Sequence, residues 1–275
     1  MSIDKHSPLG RTTEYVSVYS PELLYPIPRR QSREGLGLHS GELPFFGADI
    51  WTGYELSWLD EGGKPQVMLA QFQVPCDSEF IIESKSFKLY LNSFNQTRFS
   101  AADQVRERML ADLSSVAGAP VEVTLTPLAQ LQNTSVGQPG GECLDALPLN
   151  VTHYHPEPGL LKVDDSKEVE ETLYSDLLKS NCPVTGQPDW ASVQIHYRGR
   201  AIDRTALLAY IISFREHQDF HENCVERMFV DLMARCQPQC LSVFARYTRR
   251  GGLDINPFRS SDPDAQPEPL RLVRQ

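Results

Sequence analysis

The sequence predicts an α+β protein built from two tandem units, each an antiparallel sheet with two helices on one face. Three observations carry this. Phe87, Tyr90, Leu91 and Phe94 fall at i, i+3, i+4 and i+7, and Leu207, Tyr210, Ile211 and Phe214 repeat that helical spacing 120 residues later. Upstream of each copy the pattern switches to alternation, with Met68, Ala70, Phe72 and Val74 in one half and Val193, Ile195 and Tyr197 in the other. Downstream, a second helical pattern runs in each half into a β-type segment.

Taken in chain order, residues 1–45 read as an irregular N-terminal extension. The first unit, 46–129, opens with a strand at Tyr54–Leu59 and a tight turn through Asp60, Glu61, Gly62 and Gly63, and returns along Met68–Val74. Two helices follow, the second over Val105–Leu113, and then a strand at Val121–Leu125. Residues 130–160 carry Gly137, Pro139, Gly140, Gly141 and Pro156 without periodicity, the composition of a linker. In the second unit, 161–275, the strand Glu171–Leu178 is less clearly patterned, the second helix covers Val225–Leu232, and a strand follows at Leu241–Tyr247. The two hairpins differ in their connection. The one from Ser180 to Trp190 is longer and carries Cys182 and Asp189, and a loop held by a rigid sheet is a common place for chemistry.

Composition narrows the function classes. In 275 residues, 40% are hydrophobic and 23% charged, the balance of a folded globular chain. A net charge of −10 repels polyphosphates on average and favours a small-molecule substrate over nucleic acid. The residues around Asp4, Lys5, Arg11 and Glu14 include no apolar run that would act as a secretory signal, and no stretch approaches membrane-spanning length. Six cysteines without an export signal point to reduced thiols and a cytoplasmic protein.

Several residues could carry chemistry. Cys182 lies in Ser-Asn-Cys-Pro, a polar loop context that favours an accessible thiol, although a free cysteine is more often a small core hydrophobe. Asp189, seven residues on, is as readily an ordinary turn or strand-end residue as a functional one. His221 and Glu222 open a helix; the stronger reading of the spacing is a capping box, with Asp219 as N-cap and Glu222 as its partner. The functional alternative is a ligand site, where a carboxylate accepts two hydrogen bonds from the N–C–N edge of a purine-like base. Glu83-Ser84-Lys85-Ser86-Phe87-Lys88 reads as a solvated helix start. Arg249-Arg250-Gly251-Gly252 is either a basic turn or a phosphate clamp. Gly35, Gly37 and Gly41 miss the dinucleotide fingerprint, and Cys236, Cys240, His153 and His155 match no compact zinc pattern, so neither a Rossmann crevice nor a metal is expected.

Together, Glu83-Ser-Lys-Ser-Phe-Lys-Leu-Tyr90, Ser-Asn-Cys182-Pro, Asp189-Trp190, Phe220-His221-Glu222 and Arg249-Arg-Gly-Gly-Leu-Asp-Ile-Asn-Pro257 resemble the motifs of the QueF nitrile oxidoreductases, in order and over nearly the whole chain. The likeness is to the longer, duplicated subgroup. It implies two tunnelling-fold units, assembly around a barrel as a homodimer, and NADPH-dependent reduction of 7-cyano-7-deazaguanine to its aminomethyl form, a step of queuosine biosynthesis. Carried over residue by residue, it implies Cys182 as nucleophile, Asp189 as proton donor, and His221 as a residue that holds substrate and intermediate. Glu222 would anchor the base, with Ile82, Glu83 and Ser84 lining the same pocket, while Ser84, Lys85, Arg250 and Gly251 would contact NADPH. Within the same fold, a pterin cyclohydrolase would need a metal set that the sequence does not offer. A silent purine-binding protein would not need Cys182 and Asp189.

Overall fold

The computed structural model describes residues 15–38, 43–131 and 136–275. They form two compact units. The first draws on the described residues of 1–35, 49–134 and 249–254, the second on those of 36–48, 135–248 and 255–275.

In the first unit, β1 (Pro26–Pro28) leads into α1 (Arg29–Glu34). The hairpin follows as β2 (Ala48–Leu59) and β3 (Pro65–Pro75), then β4 (Phe80–Ile82), α2 (Ser84–Ser93), α3 (Ala102–Ala117) and β5 (Glu122–Pro127). The sheet order is β5, β3, β2, with β3 and β5 antiparallel from Met68 opposite Pro127 to Gln73 opposite Glu122. The predicted turn forms: Asp60 accepts the Gly63 amide on its carbonyl at 2.9 Å and the Lys64 amide on its side chain at 2.9 Å, with Gly63 at φ +87°. Part of the stretch expected to be irregular is ordered after all. β1 pairs with β4, and Arg29, 2% exposed, bonds Asp49 at 2.5 Å. A three-residue strand bounded by prolines and a six-residue helix are too short to show a period.

The second unit begins its hairpin with β8 (Val163–Asn181) and β9 (Pro188–Ile202), after the two-residue strands β6 (Val136–Gly137) and β7 (Glu142–Cys143). Helices α4 (Arg204–Ser213) and α5 (His221–Cys236) come next, then β10 (Cys240–Tyr247), β11 (Leu253–Ser260) and the short β12 (Arg271–Leu272). The sheet runs β11, β10, β9, β8, β7, antiparallel except for the β7–β8 pair. β8 is longer than the predicted Glu171–Leu178 because Asp164–Glu168 is exposed on both faces and so carries no alternation. The connection expected from Ser180 to Trp190 shrinks to 182–187, since both strands extend into it.

The two helix pairs match in individual hydrogen bonds. Tyr90 on α2 donates to Asp112 on α3 at 2.6 Å, and Tyr210 on α4 donates to Asp231 on α5 at 2.6 Å. Ser93 and Ser213 each donate to the carbonyl three residues back, that of Tyr90 and of Tyr210, at 2.6 Å. Glu83 caps α2 and Asp203 caps α4. In both helix pairs the tyrosine ring is fully buried while its hydroxyl is satisfied by a carboxylate, which removes the cost of an unpaired buried donor. The predicted faces are the buried ones: Phe87, Tyr90 and Phe94, and Leu207, Tyr210, Ile211 and Phe214, are all 0% exposed. Leu91 is half-buried. After β5 the first unit turns into a short 3₁₀ segment (Leu128–Leu131), where the second has β11 after β10.

Candidate active site

In the second unit, the hairpin end and the start of α5 are tied together by the backbone. The Asn181 amide donates to the His217 carbonyl at 2.8 Å, and the Asp219 amide donates to the Asn181 carbonyl at 3.2 Å. Lys179 and Asn181 add side-chain bonds to the Arg215 carbonyl, at 2.7 and 3.3 Å. This clamp lies one residue before Cys182 and two before His221. A thiol and an imidazole that belong to different elements are thereby positioned by one set of hydrogen bonds.

Cys182 opens the turn, its amide bonded to the Gln187 carbonyl at 2.9 Å and its carbonyl to the Gly186 amide at 3.0 Å. Gly186 takes φ +67°, a left-handed value that glycine adopts without cost. The polar loop context suggested an accessible thiol, but the side chain is 9% exposed, because extension of both strands leaves the turn short and tucked in. Asp189 is the second residue of β9, opposite Ser180, and is 4% exposed. Its Oδ2 lies 3.4 Å from Nε2 of His221. The His221 ring stacks face to face on Tyr247, with centroids 3.7 Å apart and planes at 4°.

The capping box expected at this helix does not form. The N-cap is Phe220, and Asp219 instead accepts the Phe220 amide at 2.9 Å and the Asn223 side-chain amide at 2.7 Å. Glu222 is therefore the second residue of the helix, not its capping partner, and is 2% exposed. The positive end of the helix dipole favours a carboxylate there. Cys224, two residues on, is fully buried. Burial, reinforced by the nearby Asp219 charge, pushes its thiol up, which disfavours the thiolate.

The remaining predicted residues gather in the first unit. Ile82, 1% exposed, pairs with Pro26, and the Glu83 amide donates to the Tyr25 carbonyl at 2.9 Å. Both carboxylate oxygens of Glu83 accept helix amides, Lys85 at 2.7 Å and Ser86 at 2.7 Å. The segment is thus the predicted helix start, but Glu83, Ser86 and Phe87 are buried, not solvated. Burial holds the Glu83 carboxyl above its usual range, opposed by those amides and by Lys88 and Lys85. Ser84 and Lys85 are half-buried on α2.

Arg250 donates its amide to the Leu253 carbonyl at 2.9 Å across a turn in which Gly251 and Gly252 take φ +60° and +76°. Only glycines make such a two-residue reversal easily. A Cβ on Gly251 would lie 3.4 Å from Cδ of Lys88, so the lysine stem runs along the bare backbone. Beside the turn is a cavity of about 200 Å³, lined by Lys88, Asn92, Asn95, Tyr15 and, as its anionic side chain, Glu55. A glycine turn with Lys88 against it, on the same unit as Lys85 and Arg250, fits the phosphates of a nucleotide cofactor. Sequence reasoning gave Lys88 no role; its place next to the predicted Gly251 depends on a contact between residues far apart in the chain.

Residues 15–125 match the family described as nitrile reductase, 7-cyano-7-deazaguanine-reductase N-term, and residues 188–266 match the family described as QueF-like protein. The chain belongs to the QueF family. Its QueF relatives include three bacterial proteins named NADPH-dependent 7-cyano-7-deazaguanine reductase. That of Dechloromonas aromatica is 58% identical over 98% of this chain and 95% of its own length. Those of Bordetella avium and Burkholderia multivorans are 56% and 55% identical, each over 98% of this chain and over 98% and 99% of their own lengths. A solved structure of an archaeosine synthase QueF-Like in the apo form matches 36% of this chain and 96% of its own at 17% identity and a TM-score of 0.31, too distant to bear on the fold.

Proposed function

We propose that this QueF chain reduces the nitrile of 7-cyano-7-deazaguanine to the aminomethyl group through a covalent adduct on Cys182. The enzyme is an NADPH-dependent nitrile oxidoreductase of queuosine biosynthesis, the activity named for relatives that match it over nearly its whole length. The observation that supports the residue roles best is the 3.4 Å approach of His221 to Asp189, in the unit and around the clamp that also hold Cys182.

In this reading, the Cys182 sulfur adds to the nitrile carbon while Asp189 delivers a proton to the nitrile nitrogen, giving a thioimide. NADPH, when bound, supplies two hydrides, one to the thioimide carbon and one to the imine carbon formed after it. Between them the carbon–sulfur bond breaks, its electron pair returning to the Cys182 sulfur, and a second proton on the nitrogen completes the amine. His221 holds the substrate and the tetrahedral intermediate beside Asp189. Glu222 receives the N–H edge of the base, and substrate contacts are also assigned to Ile82, Glu83 and Ser84. Ser84, Lys85, Arg250 and Gly251 contact the cofactor. Burial of Cys182 and Asp189 excludes water that would hydrolyse the imine.

The repeated strand, strand, helix, helix, strand order and the matched Tyr90–Asp112 and Tyr210–Asp231 bonds support tandem tunnelling-fold halves, 46–129 and 161–275, which assemble as a homodimer acting on a small molecule and not on nucleic acid. The direct test is NADPH absorbance. Oxidation that depends on 7-cyano-7-deazaguanine supports the reading, and none, with folded protein and both substrates present, rejects it.

A further inference from the structure

Tyr247 is the last residue of β10, and its backbone is fixed on two sides. It pairs with Ala191 on β9, two residues beyond Asp189, and its amide donates to the Asn256 side chain at 3.1 Å. The strand pair that places Asp189 therefore also places the phenol ring. That ring lies parallel to the His221 imidazole at 3.7 Å, and the tyrosine is 0% exposed. A histidine side chain turns about its outer torsion in a broad, two-fold well, so its plane must be set by contacts. Hydrogen bonds do not set it here: Nδ1 of His221 is buried without a partner among the described residues, and Nε2 has Asp189 at 3.4 Å.

We infer that Tyr247 is a positioning residue for the nitrile chemistry, its ring fixing the plane of His221 so that Nε2 faces Asp189. The inference rests on the assignment of His221 and Asp189 above. The aromatic face does this work, not the hydroxyl, which lies near Ser180 and Cys224 and has no hydrogen bond of ordinary geometry among the described residues. Without the flat neighbour the imidazole swings about its torsion, and the contact to Asp189 is lost for part of the time.

The test is a double-mutant cycle on the full chain, read as the rate of adduct formation with 7-cyano-7-deazaguanine by rapid-quench mass spectrometry, alongside NADPH turnover. Tyr247→Leu slows both by roughly 10-fold, the scale of one aromatic contact expressed as a rate. Tyr247→Phe keeps the ring and restores the rate to within about threefold of wild type. In a His221→Ala background, Tyr247→Leu has no further effect, since a residue acting through another is silent once that residue is gone. If Tyr247→Leu does not fold, Tyr247→Met, unbranched and pliable, serves in the same cycle.

A slow His221→Ala with an unaffected Tyr247→Leu overturns the stacking role alone, as does a Tyr247→Leu loss that persists in full in the His221→Ala background. A His221→Ala variant with wild-type rates overturns the site assignment itself, and the stacking role with it.

Discussion

Arg259 on β11 and Glu226 on α5 form an ion pair inside the second unit, with Nη2 2.9 Å and Nε 3.2 Å from the same carboxylate oxygen, and neither side chain exceeds 1% exposure. Glu226 lies one turn beyond Glu222, so the pair docks the N-terminal half of the helix that carries His221 and Glu222. Removing one partner strands a buried charge, which costs about 3–5 kcal/mol. Arg259→Met should lower the urea midpoint accordingly, and Arg259→Met with Glu226→Leu should recover much of the loss. Equal destabilisation by the single and double variants would contradict this account of the pair.

Glu83 should prove a stability residue whatever else it does. Loss of its cap on α2 in Glu83→Ala costs about 0.5–2 kcal/mol. Its pH dependence has a defined sign. Burial raises its folded value above the ordinary 4.5, so the contribution it makes is present below 4.5 and is lost as pH rises through the folded value. Measured against Glu83→Gln, wild-type stability should fall as pH increases from 4.5. A difference that is flat or grows with pH would show that the cap bonds outweigh burial.

Glu222 makes no capping box, so its replacement should be felt in binding. Glu222→Ala should weaken 7-cyano-7-deazaguanine by about 1–3 kcal/mol, the cost of leaving polar ring edges unpaired. Isothermal titration calorimetry checks this. A variant that binds normally and only melts earlier would return Glu222 to a structural role.

Cofactor binding should separate from adduct formation. Lys85→Ala and Arg250→Ala should each weaken NADPH by roughly 1.5–3 kcal/mol, the worth of a charge-assisted contact, and leave adduct yield without NADPH nearly unchanged. Fluorescence titration with NADPH gives the first quantity and intact mass the second. Unchanged NADPH affinity in both variants would remove these residues from the cofactor site.

Much of this structure was legible in the sequence because its signals are local and repeated. The faces Phe87–Phe94 and Leu207–Phe214 share one helical period, and both are buried as that period requires. What stayed hidden depends on contacts between distant residues. Asp219 and Glu222 have capping-box spacing, yet Asp219 turns its carboxylate to Phe220 and Asn223, a choice that spacing does not encode. Glu83 read as the start of a solvated segment, because its burial comes from β1 and α2 closing around it. Tyr247 looked like an ordinary strand residue, and only the fold lays it flat on His221.

The central claim is that Cys182 attacks the nitrile carbon, and intact-mass spectrometry without NADPH tests it most directly. Wild-type protein mixed with 7-cyano-7-deazaguanine should gain the mass of one substrate molecule, and peptide mapping should place it on Cys182. Cys182→Ala should fold, bind the base and gain nothing. An equal mass gain in Cys182→Ala, or none in wild type that still oxidises NADPH with this substrate, would contradict the account.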